Sequence, residues 1–235
     1  MKTVVITGAD RGLGYSLCEE FIKLGYMVFA GQFMPEWTQL EQLKESYQEQ
    51  LQIIPLNVSD FQSVKAAMDE ITKCTDCVDC FISNAGIVSR EKDIREEVNT
   101  EGNLSTFQVN SLGALLMTKA LLPLMEKGDK RLCYVSSEAG SISVAHRDGM
   151  YGYCMSKTAL NMIIRLLHNE LFPQGYTFRI YHPGWLKSYM TGAKNEKAML
   201  EPEESARMAA LQFVGNRANE EVLKVTDVEG KIWPF

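Results

Sequence analysis

A parallel α/β sheet, doubly wound in the Rossmann manner with helices on both faces, is the fold this sequence predicts. Three observations predict it. Runs of β-branched and apolar residues alternate with segments of helical periodicity along the chain, the βαβ pattern of a buried parallel sheet. A turn with three glycines joins the first strand to the first helix. Short polar or turn-forming motifs follow one strand after another, where an open α/β sheet forms its binding crevice.

The elements follow in order. Thr3–Thr7 reads as a strand, and the pattern Leu17, Cys18, Phe21, Ile22, Leu24 as the helix after it. Met27–Gly31 is a second strand, followed by a polar, helix-prone stretch over Trp37–Gln50. Leu51–Leu56 is a third, ended by Asn57-Val58-Ser59-Asp60, with Ser59 or Asp60 capping a helix through Ile71. Val78–Ser83 is a fourth, ended by Asn84-Ala85-Gly86. Residues 87–101 are charged and irregular, a surface excursion. Leu104–Glu126 is one long helical pattern with Asn110 among apolar neighbours, and Arg131–Ser136 a fifth strand. A loop over Gly140–Met150 precedes a helix that starts near Tyr153 and runs to Glu170. Tyr176–Tyr181 is a sixth strand, ended by His182-Pro183-Gly184; a helix over Pro202–Phe213 and a strand near Val222–Thr226 complete the chain. With no internal repeat or linker, one domain over residues 1–235 is expected.

Composition narrows the function classes. The 235 residues are 46% hydrophobic and 23% charged, enough for a large core without disulfides. A net charge of −6 disfavours nucleic acid and anionic membranes as partners. No apolar run reaches the length of a membrane span, and the residues before the first glycine are too few for a signal peptide, so a cytoplasmic location and reduced cysteines are expected. Cys74-x-x-Cys77-x-x-Cys80 invites a metal reading, but no fourth ligand stands at a familiar spacing, and no metal is predicted.

The turn Thr7-Gly8-Ala9-Asp10-Arg11-Gly12-Leu13-Gly14, set between strand and helix, is the layout of a dinucleotide site. Its glycines permit the sharp turn, close approach to a pyrophosphate and tight helix packing, and the helix N-terminus offers free N–H groups to the anion. It lacks the lysine of a nucleotide-triphosphate loop. The second strand ends in Gly31-Gln32-Phe33 with no acid at its tip, and Arg11 is close at hand. An acid there would bind the 2′-hydroxyl of NAD and repel a 2′-phosphate, so NADP is favoured over NAD. Glu36 keeps NAD open, since a loop shift would bring it in.

Tyr153 and Lys157 stand four apart on a helix, hence on one face, about 6 Å apart along the axis. Together with Thr7-Gly-x-x-x-Gly-x-Gly14, Asn84-Ala85-Gly86, Asn110, Ser137 and Pro183-Gly184, in this order, they resemble the short-chain dehydrogenase/reductase superfamily over essentially the whole chain. Ser141-Ile-Ser143, Gly149-Met-Tyr-Gly-Tyr153, Lys157-x-Ala-Leu-Asn161 and His182-Pro-Gly-Trp185 look like its compact C-factor-like carbonyl reductases.

The resemblance implies an NAD(P)-dependent oxidoreductase acting on a small-molecule carbonyl or alcohol. It makes Tyr153 the proton donor or acceptor, Ser137 the hydrogen-bond donor to the substrate oxygen, Lys157 the residue that grips the nicotinamide ribose, and Asn110 the anchor of a water. Gly8, Arg11, Gly12, Leu13 and Gly14 would line the phosphates, Asn57 and Val58 the adenine, and Asn84, Ala85 and Gly86 the adenosine side. Pro183, Gly184, Leu186 and Ser188 would face the nicotinamide. It also implies pairing of long helices into a homodimer or homotetramer.

A cation at about 4 Å stabilises a phenolate by up to about 4 kcal/mol at an effective dielectric of 20, so a net lowering of the Tyr153 pKa is expected despite desolvation. Four departures stand out. Asn57 replaces a usual Asp and Ser188 a common Thr. The Ser137–Tyr153 interval is longer than usual, with the extra residues around His146-Arg147-Asp148. Glu138 adjoins Ser137, either as a solvated loop charge or as an acid facing the substrate. Tyr151 fails as the base because Met155, not lysine, lies four residues on. His146 is the histidine best placed for substrate; His168 and His182 read as structural. A lid between Ser188 and Glu201 is expected to be open, with Trp185 on the apolar wall. The alternative to a reductase is a protein that binds the dinucleotide as a sensor or partner-binding module without turnover.

Overall fold

The computed structural model describes residues 1–90, 93–95, 97–190 and 192–235. Glu91, Lys92 and Glu96 of the expected excursion and Thr191 of the expected lid lie outside the described residues.

Eight strands form one sheet in the order β3-β2-β1-β4-β5-β6-β7-β8. They are β1 (Thr3–Ile6), β2 (Met27–Gln32), β3 (Leu51–Pro55), β4 (Cys80–Ser83), β5 (Arg131–Val135), β6 (Thr177–His182), β7 (Val225–Asp227) and β8 (Ile232–Trp233). All neighbours are parallel except β7 and β8. The antiparallel β8 was not foreseen, because two residues carry no readable alternation. It is held by Asp227, which accepts from Lys231 N and from Trp233 Nε1.

The helices are α1 (Gly12–Lys23), α2 (Gln39–Ser46), α3 (Phe61–Cys74), α4 (Thr100–Phe107), α5 (Ala114–Met125), α6 (Tyr151–Leu171) and α7 (Pro202–Val214). Alternation along each strand sends its side chains to opposite faces. Val5 and Phe29 pack with Ile71, Met117 and Ile164 of α3, α5 and α6. Val4 and Ile6 pack with Leu17, Leu40 and Phe213 of α1, α2 and α7. No helix among the described residues is long and apolar enough to cross a membrane.

The long helical pattern expected over Leu104–Glu126 is broken. A π-helical turn over Gln108–Gly113 separates α4 from α5. Such a turn costs regular hydrogen bonding and often accompanies a function, and Asn110 sits inside it.

Chain order reverses between β1 and β4, and the crevice opens at their carboxyl ends. Asn84 ties the two ends together: its Nδ2 donates to the carbonyls of Thr7 and Gly8 at 3.0 and 2.9 Å. The Thr7 hydroxyl in turn accepts from the backbone N–H groups of Asn84 and Ala85 at 3.1 Å each.

Candidate active site

The crevice is a cleft of about 340 Å³. Its floor is the turn from β1 into α1. Gly8 takes φ +64°, and a Cβ there would fall 2.7 Å from Ala85 Cα. At Gly14 a Cβ would stand 2.0 Å from the Gly8 carbonyl oxygen. Helix α1 has neither a side-chain cap at Arg11 nor an acid in its first turn, whereas α3 and α4 are capped by Asp60 and Asn99. Its N-terminal N–H groups and positive dipole end are therefore available to an anion, which fits a bound pyrophosphate.

Arg11, Gly12 and Leu13 line the cleft with Gly8 and Gly14, as do Asn57, Val58, Asn84, Ala85, Gly86, Pro183, Leu186 and Ser188. Gly184 does not. It takes φ +78° and abuts Leu200, so it shapes the turn after β6. Asn57 spends its Oδ1 on Ser59, accepting from the backbone N at 3.1 Å and from Oγ at 2.7 Å.

Two features at the β2 end of the cleft escaped the sequence. The tip of β2 has an acid after all. Asp10 reaches across from the glycine turn, and its Oδ1 accepts from Phe33 N at 2.7 Å and Met34 N at 2.5 Å. Its proximity to the second strand is a tertiary fact that sequence position hides. Glu36, the acid weighed for that place, is exposed. Arg11 stacks over Trp37 at 4.6 Å and over Tyr189 at 5.7 Å, and donates to the Tyr189 carbonyl at 3.3 Å. This joins the β2–α2 loop to the segment after β6. Only an arginine near aromatics would have signalled it, and the aromatics are remote in sequence.

Tyr153 and Lys157 line the cleft beside Val135 and Ser136, while Ser137 lies just behind this lining. Lys157 and Tyr153 come from the first turns of α6, with the Lys157 Nζ 5.9 Å from the centre of the Tyr153 ring. Ser137 follows β5, and its hydroxyl acts on the Tyr153 phenol, working to lower its pKa. Asn110 is 1% exposed and holds Ile87 with both ends of its amide. A Cβ on Gly86 would lie 3.4 Å from Asn110 Oδ1 and 3.8 Å from Lys157 Nζ, so Gly86 keeps the space between them open.

The expected lowering of the phenol pKa does not arise from the protein groups. Burial pushes Tyr153 up to about 12, against the Ser137 hydrogen bond. Burial also pulls Lys157 down to about 8. Desolvation outweighs the other influences on both groups.

Glu138 is not a solvated loop charge. Its side chain is 12% exposed and pairs with Arg147, and its Oε2 accepts from Ser137 Oγ at 2.5 Å. Burial works to raise its pKa, but Ser137, His182 and Arg147 together hold it below the usual carboxylate range. His182, half-buried beside it, has its own pKa lowered, chiefly by burial. His168 stacks on Phe172 and meets Phe178 edge-on, whereas His146 is exposed in the loop. Cys80 faces Cys133 inside the sheet at 3.8 Å while Cys74 is exposed, so the three spaced thiols do not converge.

The family model for short chain dehydrogenases matches residues 2–199. The chain belongs to the short-chain dehydrogenase family. As a member of it, the protein is an NAD(P)-dependent oxidoreductase of CH–OH and C=O groups. An oxidoreductase of Schizosaccharomyces pombe is 30% identical over 230 residues, covering 96% of this chain and 90% of the relative. The C-signal protein of Myxococcus xanthus is 39% identical over 120 residues, covering 51% of this chain and 72% of that protein, in line with the C-factor-like resemblance. Among solved structures, the NADPH-bound carbonyl reductase from chicken fatty liver superposes with a TM-score of 0.84 at 26% identity, covering 100% of this short-chain dehydrogenase and 99% of that chain.

Proposed function

We propose that this short-chain dehydrogenase is an NADP-preferring reductase of a small-molecule carbonyl, or in reverse a secondary-alcohol dehydrogenase, built as a single dinucleotide-binding domain over residues 1–235 with a cytoplasmic location. The observation that carries the reading is that Tyr153 and Lys157 line the cleft together, with Ser137 acting on the Tyr153 phenol from the end of β5.

The N-terminus of α1 would hold the pyrophosphate and Arg11 the 2′-phosphate. A cation and several aromatics meet there, and the chicken reductase of the same fold carries NADPH. Among the described residues, Lys157 Nζ donates one hydrogen bond, to the Val135 carbonyl at 2.9 Å. An ammonium has three donors, so two remain for ribose hydroxyls. A reduced nicotinamide held there would supply a hydride to the substrate carbonyl.

The chain's own residues manage the charge that then develops on the substrate oxygen. Ser137 hydrogen-bonds that oxygen and Tyr153 gives it a proton. A phenol pushed up to about 12 is protonated at neutral pH, ready to act as the acid. The resulting phenolate is stabilised by the Lys157 ammonium, and the open space between Lys157 and Asn110 gives a water room to return the proton. Exposed Leu112 and Leu115 of the Asn110-containing stretch, with Met155, Met162 and Leu166 of α6, form apolar faces suited to pairing of copies into a dimer or tetramer.

The test is NADPH consumption by purified protein with a panel of diketones, quinones and ketones. Turnover with NADPH in preference to NADH is expected. Tight NADPH binding without turnover across the panel would overturn the reading in favour of a sensor.

A further inference from the structure

Two charged residues press on the central hydroxyl of this site without a role in the scheme above. Ser137 donates to Glu138 Oε2 at 2.5 Å, and Glu138 pairs with Arg147 of the loop between Ser141 and Met150. Other elements also face this carboxylate. Tyr153 and Cys154 approach from α6. His182 approaches from the end of β6, with Nδ1 3.6 Å from Oε2 and no hydrogen-bond partner of its own. Lys157 and Asp227 in turn face His182.

A serine hydroxyl has one hydrogen to donate. The Ser137 hydrogen goes to a carboxylate, and a carboxylate is a stronger acceptor than a neutral carbonyl oxygen. A bare Glu138 would therefore hold the hydrogen that the substrate oxygen needs. Arg147 offsets this by drawing on the same carboxylate. Arg147 also lies within the residues that lengthen the interval from Ser137 to Tyr153, so the longer loop brings a cation onto Glu138.

We propose that Arg147 is a positioning residue that masks the Glu138 carboxylate, so that Ser137 can turn its hydroxyl to the substrate oxygen. This rests on the carbonyl-reductase reading. The masking itself is a property of the protein and can be measured apart from turnover.

The experiment uses the full chain with Arg147→Met, Arg147→Lys, Glu138→Gln and the double variant Glu138→Gln/Arg147→Met. Rates are taken with NADPH and a diketone from pH 5 to 8. Arg147→Met is expected to lower kcat by about tenfold or more at pH 7.5, and Glu138→Gln by only a few-fold. The double variant should return close to Glu138→Gln, because the charge to be masked is gone. Arg147→Lys should keep most of the activity. Arg147→Met should also recover as the pH falls and Glu138 protonates, a trend absent from the parent protein.

A double variant as poor as Arg147→Met, or an Arg147→Lys variant equally poor, would make the role structural and overturn the proposal. The Glu138 carboxyl is followed separately by ¹³C NMR. Its titration midpoint should rise by roughly one pH unit or more in Arg147→Met; an unchanged midpoint overturns the masking. If the parent reduces no carbonyl, the functional reading falls, and the NMR titration alone decides the masking.

Discussion

Lys157 donates to the carbonyl of Val135 at 2.9 Å, a bond that ties the second turn of α6 to the last residue of β5. The ammonium is 3% exposed, with one fixed acceptor to offset its desolvation, so its pKa falls to about 8 from an ordinary 10.5. Between those values the unfolded chain binds more protons than the folded one. Stability of the cofactor-free protein should therefore rise with pH across this window on account of Lys157, at up to about 1.4 kcal/mol per pH unit. Urea unfolding at pH 7.5, 8.5 and 9.5 checks this. The difference between the parent and Lys157→Met should shift in favour of the parent as pH increases, and a flat difference would contradict the burial argument.

Tyr153 and Lys157 divide the work. Tyr153→Phe should abolish turnover and leave NADPH affinity within about threefold, since it removes a proton and little else. Lys157→Ala should damage both rate and affinity, because the proposed mechanism gives the same ammonium to the ribose and the phenolate. Steady-state rates paired with fluorescence titration of NADPH separate the two effects.

Asp10 and Arg11 both line the cleft near the tip of β2. Arg11→Ala should raise KM for NADPH by about tenfold or more while raising that for NADH far less. Asp10→Asn keeps an acceptor for the Phe33 and Met34 N–H groups but removes the negative charge beside them. It should shift the ratio of kcat/KM values toward NADPH. An equal change for both cofactors in either variant would remove that residue from 2′-phosphate discrimination.

Asn110 is a structural pin as much as a functional residue. Its amide accepts from Ile87 N at 2.8 Å, and donates to Ile87 O and to Ser156 Oγ at 2.9 Å each. Asn110→Leu strands these buried partners and should cost about 2–4 kcal/mol in thermal or urea unfolding, together with loss of activity.

Two neighbouring glycines should respond differently. At Gly14 a Cβ would meet the Gly8 carbonyl at 2.0 Å and Asn84 Nδ2 at 2.6 Å. Gly14→Ala must push the β1–α1 turn off the sheet and should destroy NADPH binding. At Gly12 nothing lies within 4 Å, but φ is +56°. Gly12→Ala should cost only about 1–2 kcal/mol of backbone strain in unfolding measurements.

The parallel sheet was legible because buried β-branched runs alternating with amphipathic helices have few other ways to hide their apolar faces. The glycine turn and the spacing of Tyr153 and Lys157 were legible because each is local: neighbours within one turn or one helix face meet whatever the rest of the chain does. The break of the long helix at Asn110 was not, since a π turn depends on what Asn110 finds across the gap, namely Ile87 and Ser156. Nor was Asp10 at the tip of β2, the stack of Arg11 on Trp37 and Tyr189, or the pairing of Glu138 with Arg147. In each of these, a charge is fixed by partners brought together by the chain's path. The same holds for the pKa of Tyr153. The sequence by itself determined which strand ends form the crevice, because the turn and polar motifs close those strands. Only the tertiary structure decided how far each is desolvated and which charge faces which, because burial and long-range pairing depend on the packed whole.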